Sequence, residues 1–470
     1  MFGLDTGMTI LLLVVLVAAC AFEFINGFHD TANAVATVIY TKSLKPKVAV
    51  IWSGLWNVVG VYVGGTAVAM GIIALLPLDI LTDSSIYHNL ALIFALILTA
   101  IFWNLGTWYL GIPCSSSHTL LGSIFGVGIA FMLLPGDHNI SLNWQKIEDV
   151  GLSLLISPVF GFALAMFLMI LLKKVVKNKR ALKKPPKTTA PPPLWIRSIL
   201  VLTCTSVSFS HGSNDGQKGV GLVMIILIAL APAFFAIDKS QNPQKVKAGI
   251  ENIQTLITKI DYSKMSTEDQ ISCRILTENL DTFKTKLAAI GSFNNLPNKT
   301  YFNLRKNFLT LSKLSETITK KNPNVLSKKD METLKTGFAD FKKNTEKVPN
   351  WVIIMIALSL GLGTMIGWKR IVVTIGEKIG KSPLTYAQGA TAEIIAACTI
   401  MASSSFGLPV STTHVLSSGV AGTMVASNGL KNLRKKTMKN ILIAWFITLP
   451  VTVLVSGLLF LLFRFIFNLF

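Results

Sequence analysis

Two carboxylates, Asp30 and Asp215, stand inside otherwise apolar segments, each framed by a similar polar cluster. Asn26-Gly27-Phe28-His29-Asp30-Thr31-Ala32-Asn33 parallels His211-Gly212-Ser213-Asn214-Asp215-Gly216-Gln217-Lys218. A second pair matches more closely: Gly111-Ile112-Pro113-Cys114-Ser115-Ser116-Ser117-His118 parallels Gly407-Leu408-Pro409-Val410-Ser411-Thr412-Thr413-His414. Gly-x-Pro-x, three hydroxyl residues and then an apolar run read as a helix start. The unpaired N–H groups and partial positive charge of such a start suit an oxyanion. Ser115, Ser116, Ser117, Ser411, Thr412 and Thr413 add hydroxyl donors for its oxygens. Capping accounts for one hydroxyl per copy, not for three beside a histidine. Asp30 and Asp215 would repel an anion in a low dielectric, so they are expected to hold a cation or a proton. An anion site beside a cation site is what a symporter needs.

Four of the six histidines, His29, His118, His211 and His414, fall in these clusters. They read either as positioning or gating groups or as handlers of a proton or metal, because imidazole titrates near neutrality. Lys218 reads either as an ion-pair partner of Asp215 or as a charge that offsets the substrate's. Glu23 and Glu393 also lie in apolar spans, each either a proton carrier or a helix-packing hydrogen-bonding group. An intramembrane hydrolase built from Ser, His and Asp is disfavoured, because the serines sit at duplicated helix starts and nothing resembles a nucleophile elbow.

The elements that position these groups are membrane spans. The 470 residues are 51% apolar and 14% charged, with a mean hydropathy of +0.57, far from the balance of soluble domains. Runs such as Gly151–Leu172 and Ile441–Phe463 can cross roughly 30 Å of hydrocarbon, which makes the lipid bilayer a partner. Much of the net charge of +21 sits in short loops, including eight basic residues from Lys173 to Lys187 and five from Lys431 to Lys439. Those loops belong on the cytoplasmic side, and no nucleic-acid partner is expected. Segment 8–40 has 33 residues against about 20 for one crossing, which implies a helix broken at its polar cluster and lining a cavity there.

The chain divides into a first transmembrane repeat (1–172), a basic proline-rich linker (173–194), the start of a second repeat (195–238), a polar insertion (239–349) and the remainder of the second repeat (350–470). Placing every basic loop inside puts both termini outside and gives each half four elements of opposite orientation, with hairpins at 88–134 and 384–427. An inverted repeat of this kind marks a secondary transporter with its site near mid-membrane. In the insertion, Ile250, Ile253, Leu256 and Ile260, then Ile271, Ile275, Leu280, Phe283, Leu287 and Ile290, then Leu304, Phe308, Leu311, Leu314 and Ile318 recur at helical spacing. They predict a water-facing bundle of three or four helices. The expected fold is therefore an all-α polytopic membrane protein of two inverted-topology repeats, with broken helices and re-entrant or hairpin segments, plus a small helical soluble insertion.

At these motifs the chain resembles the inorganic phosphate transporter (PiT) family, in particular the bacterial low-affinity phosphate permeases. Its paired Gly-Ala-Asn-Asp-Val-Ala-Asn-Ala motif is matched by GFHDTANA from Gly27 and HGSNDGQKG from His211. Its paired Pro-x-Ser-x-x-His element is matched by PCSSSH from Pro113 and PVSTTH from Pro409. The resemblance implies a homodimeric symporter of the bacterial inner membrane that takes inorganic phosphate and a coupling cation, with no cofactor and no resident metal. It implies Asn33, Asn214 and Gln217 as further phosphate contacts, and Asn26 and Glu393 beside Asp30 and Asp215 at the coupling ion. His29 stands where many members have Asn, and Gln217-Lys218 where they have Ala-Asn; these departures point to protons, with sodium as the alternative. A neutral divalent metal–phosphate complex is the implied cargo, since neutralising the anion lowers its desolvation cost. A permease for sulfate or another oxyanion is the runner-up.

Overall fold

The helices follow from apolar or amphipathic runs, many bounded by a cap or a proline. The computed structural model describes residues 2–76, 80, 86–134, 142–176, 191–294, 296–316, 318–319 and 322–467. Most of the expected linker, residues 177–190, lies outside them. The chain forms two units, Met1–Thr9 with Leu227–Lys347 and Ile10–Ile226 with Val348–Phe470. In chain order the first eight main helices are α1 (Thr6–Tyr40), α2 (Pro46–Val63), α3 (Ala67–Ile73), α4 (Ile86–Tyr109), α5 (Ser116–Met132), α6 (Trp144–Val175), α7 (Leu194–His211) and α8 (Gln217–Leu230). The smaller unit holds α9 (Pro243–Ile257), α10 (Thr267–Ala288), α11 (Asn298–Glu316) and α12 (Lys328–Lys343). The chain then returns as α13 (Asn350–Met365), α14 (Tyr386–Ser405), α15 (Thr412–Asn428) and α16 (Lys435–Phe467).

Among the described residues, α1, α2, α4, α6 and α16 are long and apolar enough to cross a membrane. A sixth span results if α13 is joined to the segment Lys369–Lys378, bent from it by 56°. Large apolar side chains such as Phe160, Phe167, Phe446 and Phe465 are exposed on α6 and α16, a surface that hydrocarbon rather than water accommodates.

Packing within the larger unit is reciprocal. Helix α5 packs on α16 and α15 packs on α6, while α2 meets α13. The contacts match in detail: a Cβ on Gly126 of α5 would fall 2.1 Å from the Val453 carbonyl oxygen, and one on Gly422 of α15 would fall 2.3 Å from that of Phe162. Small residues let helix backbones approach in this way.

The turns before α5 and α15 are also copies. Gly111 and Gly407 both have φ of +66°, and the next N–H closes back on the preceding helix, Ile112 to Thr107 O at 3.0 Å and Leu408 to Ser403 O at 2.9 Å. This is the glycine-terminated helix end, which turns the chain sharply toward the next helix.

The break expected in segment 8–40 is absent, because α1 runs as one helix of 35 residues through its motif. Side-chain donors from α5 and α15 meet Asp30, so its backbone need not open. In the second copy the chain does depart from an α-helix, through a π-helical turn at Gly212–Gly216 between α7 and α8. Gly212 lies so close to α2 that a Cβ would sit 2.2 Å from the Asn57 carbonyl oxygen. Wide turns of this kind favour functional sites.

In the smaller unit, Ile250, Ile253, Leu280, Phe283, Leu304 and Phe308 join Leu334 and Phe338 of α12 in one core. Ile271 and Ile275, expected inside, are exposed, and Cys273 and Leu276 are buried in their place. The buried series 273, 276, 280, 283, 287 alternates steps of three and four, which holds one helix face. Arg305 is 1% exposed and donates to the carbonyls of Ala236 at 2.7 Å and Thr345 at 3.0 Å, tying the two ends of the insertion. Burial pulls its pKa down to about 10, which leaves it charged at neutral pH.

Gly111→Ala is expected to lower stability by about 1–2 kcal/mol, the cost of a left-handed backbone with a Cβ. Gly407→Ala should cost more, because its Cβ would also press to 3.1 Å from the Ala67 carbonyl oxygen. Thermal unfolding of the detergent-solubilised variants measures both.

Candidate functional site

Pro113 and Pro409 precede the two turns that start α5 and α15, and Ser115 and Ser411 cap them. Their hydroxyl oxygens accept from the N–H of His118 at 3.2 Å and of His414 at 3.1 Å. Both first turns are buried, and they converge: the His118 and His414 rings are 4.6 Å apart. His414 also stacks on Trp445 at 4.0 Å, and His118 Nδ1 lies 2.8 Å from Ser115 Oγ.

The motif carboxylates meet these first turns. Asp30 accepts from Ser116 Oγ at 3.0 Å and from the Thr413 hydroxyl, which comes from the other half of the chain. Asp215 accepts from Thr412 Oγ1 at 3.1 Å and from Lys218 Nζ. His211 stands between them, its Nε2 3.2 Å from Asp215 Oδ2 and 3.9 Å from Asp30 Oδ2. Its Nδ1 lies 2.8 Å from Asn57 Oδ1, and Asn57 Nδ2 donates to Thr364 Oγ1 at 3.1 Å. His29 is placed by Thr107 Oγ1, 3.3 Å from its Nε2, with Nδ1 3.7 Å from Asp30 Oδ1. Ligand-type atoms of Asp30, His211 and Asp215 lie within 4.8 Å of one another and can hold a cation.

The other expected residues are placed elsewhere. Asn214 donates to Ser404 Oγ at 2.9 Å and Leu408 O at 3.2 Å and accepts from Val410 N at 3.2 Å. It braces the turn before α15. Gln217 donates to Gly64 O and Ser213 O and accepts from Val68 N at 2.7 Å, which fixes the link between α2 and α3. Asn26 donates to Glu23 Oε1 at 3.0 Å, while Glu23 Oε2 has no hydrogen-bond partner among the described residues. The Asn33 side chain lies outside the described residues. Glu393 forms a separate buried group, its two oxygens accepting from the hydroxyls of Thr37 and Thr203. Asn57 and the Val410 carbonyl were not singled out from sequence; the signal for Asn57 was a lone amide in an apolar span.

The same three hydroxyls, Ser116, Thr412 and Thr413, lie at helix N-termini and donate to carboxylates. An oxyanion entering at these N-termini would compete with Asp30 and Asp215 for them.

The phosphate transporter family profile matches residues 26–456. The chain is 40% identical to the low-affinity inorganic phosphate transporters PitB and PitA of Escherichia coli (strain K12), each match covering 97% of both chains. A probable low-affinity inorganic phosphate transporter of Bacillus subtilis is 27% identical over 97% of this chain and 98% of its own. In three dimensions the fold is similar to a solved sodium-dependent phosphate transporter, at a TM-score of 0.53 and 18% identity, covering 97% of this chain and 99% of that one.

Thr203→Val strips a donor from a buried carboxyl oxygen and is expected to destabilise by about 1–3 kcal/mol. Combined with Glu393→Gln, the total loss should fall short of the sum of the single losses, as it does for groups in one network. Denaturation of the four proteins of that cycle measures the coupling.

Proposed function

The chain belongs to the phosphate transporter family, and on that premise we propose that it imports inorganic phosphate by symport, with protons as the coupling cation. The observation that carries the reading is the sharing of Ser116, Thr412 and Thr413 between the helix N-termini and the two carboxylates. Phosphate oxygens at the N-termini of α5 and α15 would draw these hydroxyls away from Asp30 and Asp215. The carboxylates, short of donors in a low dielectric, then demand positive charge. A cation entering the Asp30–His211–Asp215 cluster supplies it, so each ligand favours the other. Asn214 and Gln217 hold the surrounding turns, and His118 and His414 pack where the two N-termini meet.

Protons are favoured over sodium by the groups at hand. His211 faces both carboxylates, and Glu393 sits between two hydroxyls with no cationic partner among the described residues. A divalent metal–phosphate complex is the cargo that best lowers the desolvation cost of the anion, with the metal meeting the same carboxylates. Reciprocal packing of the halves supports a two-fold relation between them; we place its axis in the membrane plane, which makes the repeats inverted. The setting is the inner membrane, with both termini outside and two copies of the chain assembled as a dimer.

Labelled-phosphate uptake into proteoliposomes tests the reading. Uptake driven by an imposed proton gradient and indifferent to a sodium gradient is expected; stimulation by sodium alone would replace the proton, and sulfate uptake without phosphate uptake would replace the substrate. Asp30→Asn and Asp215→Asn should each abolish gradient-driven accumulation in a folded protein. Ser116→Ala and Thr412→Ala should raise the half-saturating phosphate concentration by about tenfold, one charged hydrogen bond's worth; unchanged kinetics would move the anion site elsewhere.

A further inference from the structure

Both motif carboxylates meet the two hydroxyl triplets, and in the second half one of those links runs through a charge. Each carboxylate accepts from the middle hydroxyl of its own half's triplet, Asp30 from Ser116 at 3.0 Å and Asp215 from Thr412 at 3.1 Å. Across the halves, Thr413 donates directly to Asp30. Its counterpart Ser117 is instead joined to Asp215 through Lys218 Nζ, which donates to both. Lys218 also donates to the Val410 carbonyl at 2.8 Å.

Ser117 Oγ itself donates to Val410 O at 2.7 Å, so its hydrogen is spent and toward Lys218 it accepts. An ammonium has three N–H donors and no acceptor. Here three acceptors, a carboxylate, a hydroxyl and a carbonyl, take all three around a side chain only 2% exposed. Such a set of oxygens is also what hard free cations bind. In the first repeat the aligned residue is Asn33, which is neutral.

We propose that Lys218 is a tethered cation: its ammonium fills a monovalent-cation position made by Asp215, Ser117 and the Val410 carbonyl. The second half thus carries its positive charge covalently, and the cycle moves one mobile cation fewer than two bare carboxylates would demand. The proposal rests on the phosphate-symport reading for its consequence, though not for its geometry. It also gives Lys218 a role in specificity, because an occupied position is closed to sodium and potassium.

The test is equilibrium binding of labelled phosphate to the purified full chain at fixed pH, titrated with sodium, potassium or lithium. Wild type should bind phosphate indifferently to the alkali cation. Lys218→Asn, which opens the position, should bind roughly a hundredfold more weakly without alkali cation, the scale of a buried ion pair broken on one side, and should recover saturably as one of the three is added. Lys218→Met, which fills the space without charge, should be equally weak and should not recover. Wild-type affinity in a folded Lys218→Met, or a folded Lys218→Asn that no alkali cation rescues, would overturn the proposal.

Thermal stability supplies a readout that does not need phosphate: an alkali cation should raise the melting temperature of Lys218→Asn and leave wild type unmoved. If wild type fails to bind phosphate, the functional reading falls and the stability shift still decides the role of Lys218. Should Lys218→Asn aggregate, Lys218→Ala purified with methylammonium takes its place, and aggregation there too would make the residue structural and end the proposal.

Discussion

Asp30 and Asp215 are carboxylates buried in an apolar span, and each is kept there by hydroxyls from the first turns of α5 and α15. That requirement shapes the larger unit. A carboxylate without donors or compensating charge in such a medium costs several kcal/mol, so the donors must come to it. They come on helices that start inside the protein rather than at its edge. Those helices can start there because Gly111 and Gly407 turn the chain and Ser115 and Ser411 cap the two first turns.

The same arrangement leaves little freedom elsewhere. To bring both N-termini to one place, α5 and α15 must pack tightly on the long helices α16 and α6, and Gly126 and Gly422 permit that approach. The polar groups behind the carboxylates form a connected set: Asn57 orients His211, Thr364 orients Asn57, and Asn214 holds the turn from which the Val410 carbonyl reaches Lys218. Buried networks of this kind favour one arrangement when fully satisfied. In the proposed symport they would also link an anion position to a cation position, because the donors would be common to both.

The inserted unit obeys different physics. Its helices are amphipathic rather than apolar, they bury one face each, and Phe283 meets Phe308 edge to face at 4.8 Å. Its deeply buried cation, Arg305, answers to backbone carbonyls at the two ends of the insertion. Ion pairs such as Lys259 with Asp330, 3.3 Å apart, lie at its surface, where water screens them and they add little stability. Its fold therefore rests on the apolar core, as in a soluble bundle, while the larger unit is organised around buried charge.

Membrane spans, the doubled motifs and the two helix starts were legible in the sequence, because hydropathy, proline, glycine and hydroxyl residues act over a few neighbours. Asp30 and Asp215 stood out for the same reason, as charges where the local medium is apolar. What lay beyond reach was which donor meets which acceptor. The sequence places Thr413 in the same half of the chain as Asp215 and says nothing of its bond to Asp30, 383 residues away. It suggested a broken α1, whereas donors arriving from distant helices let the backbone stay helical. The family resemblance implied Asn214 and Gln217 as phosphate contacts, and tertiary packing is what engages their amides with the neighbouring turns. The sequence showed Lys218 as a charge beside Asp215 and left its purpose open; only the folded chain brings Ser117 and the Val410 carbonyl around the same ammonium. Local chemistry was therefore set by the order of residues, and partnership by tertiary packing, since hydrogen bonds act over about 3 Å between groups that the chain itself holds hundreds of residues apart.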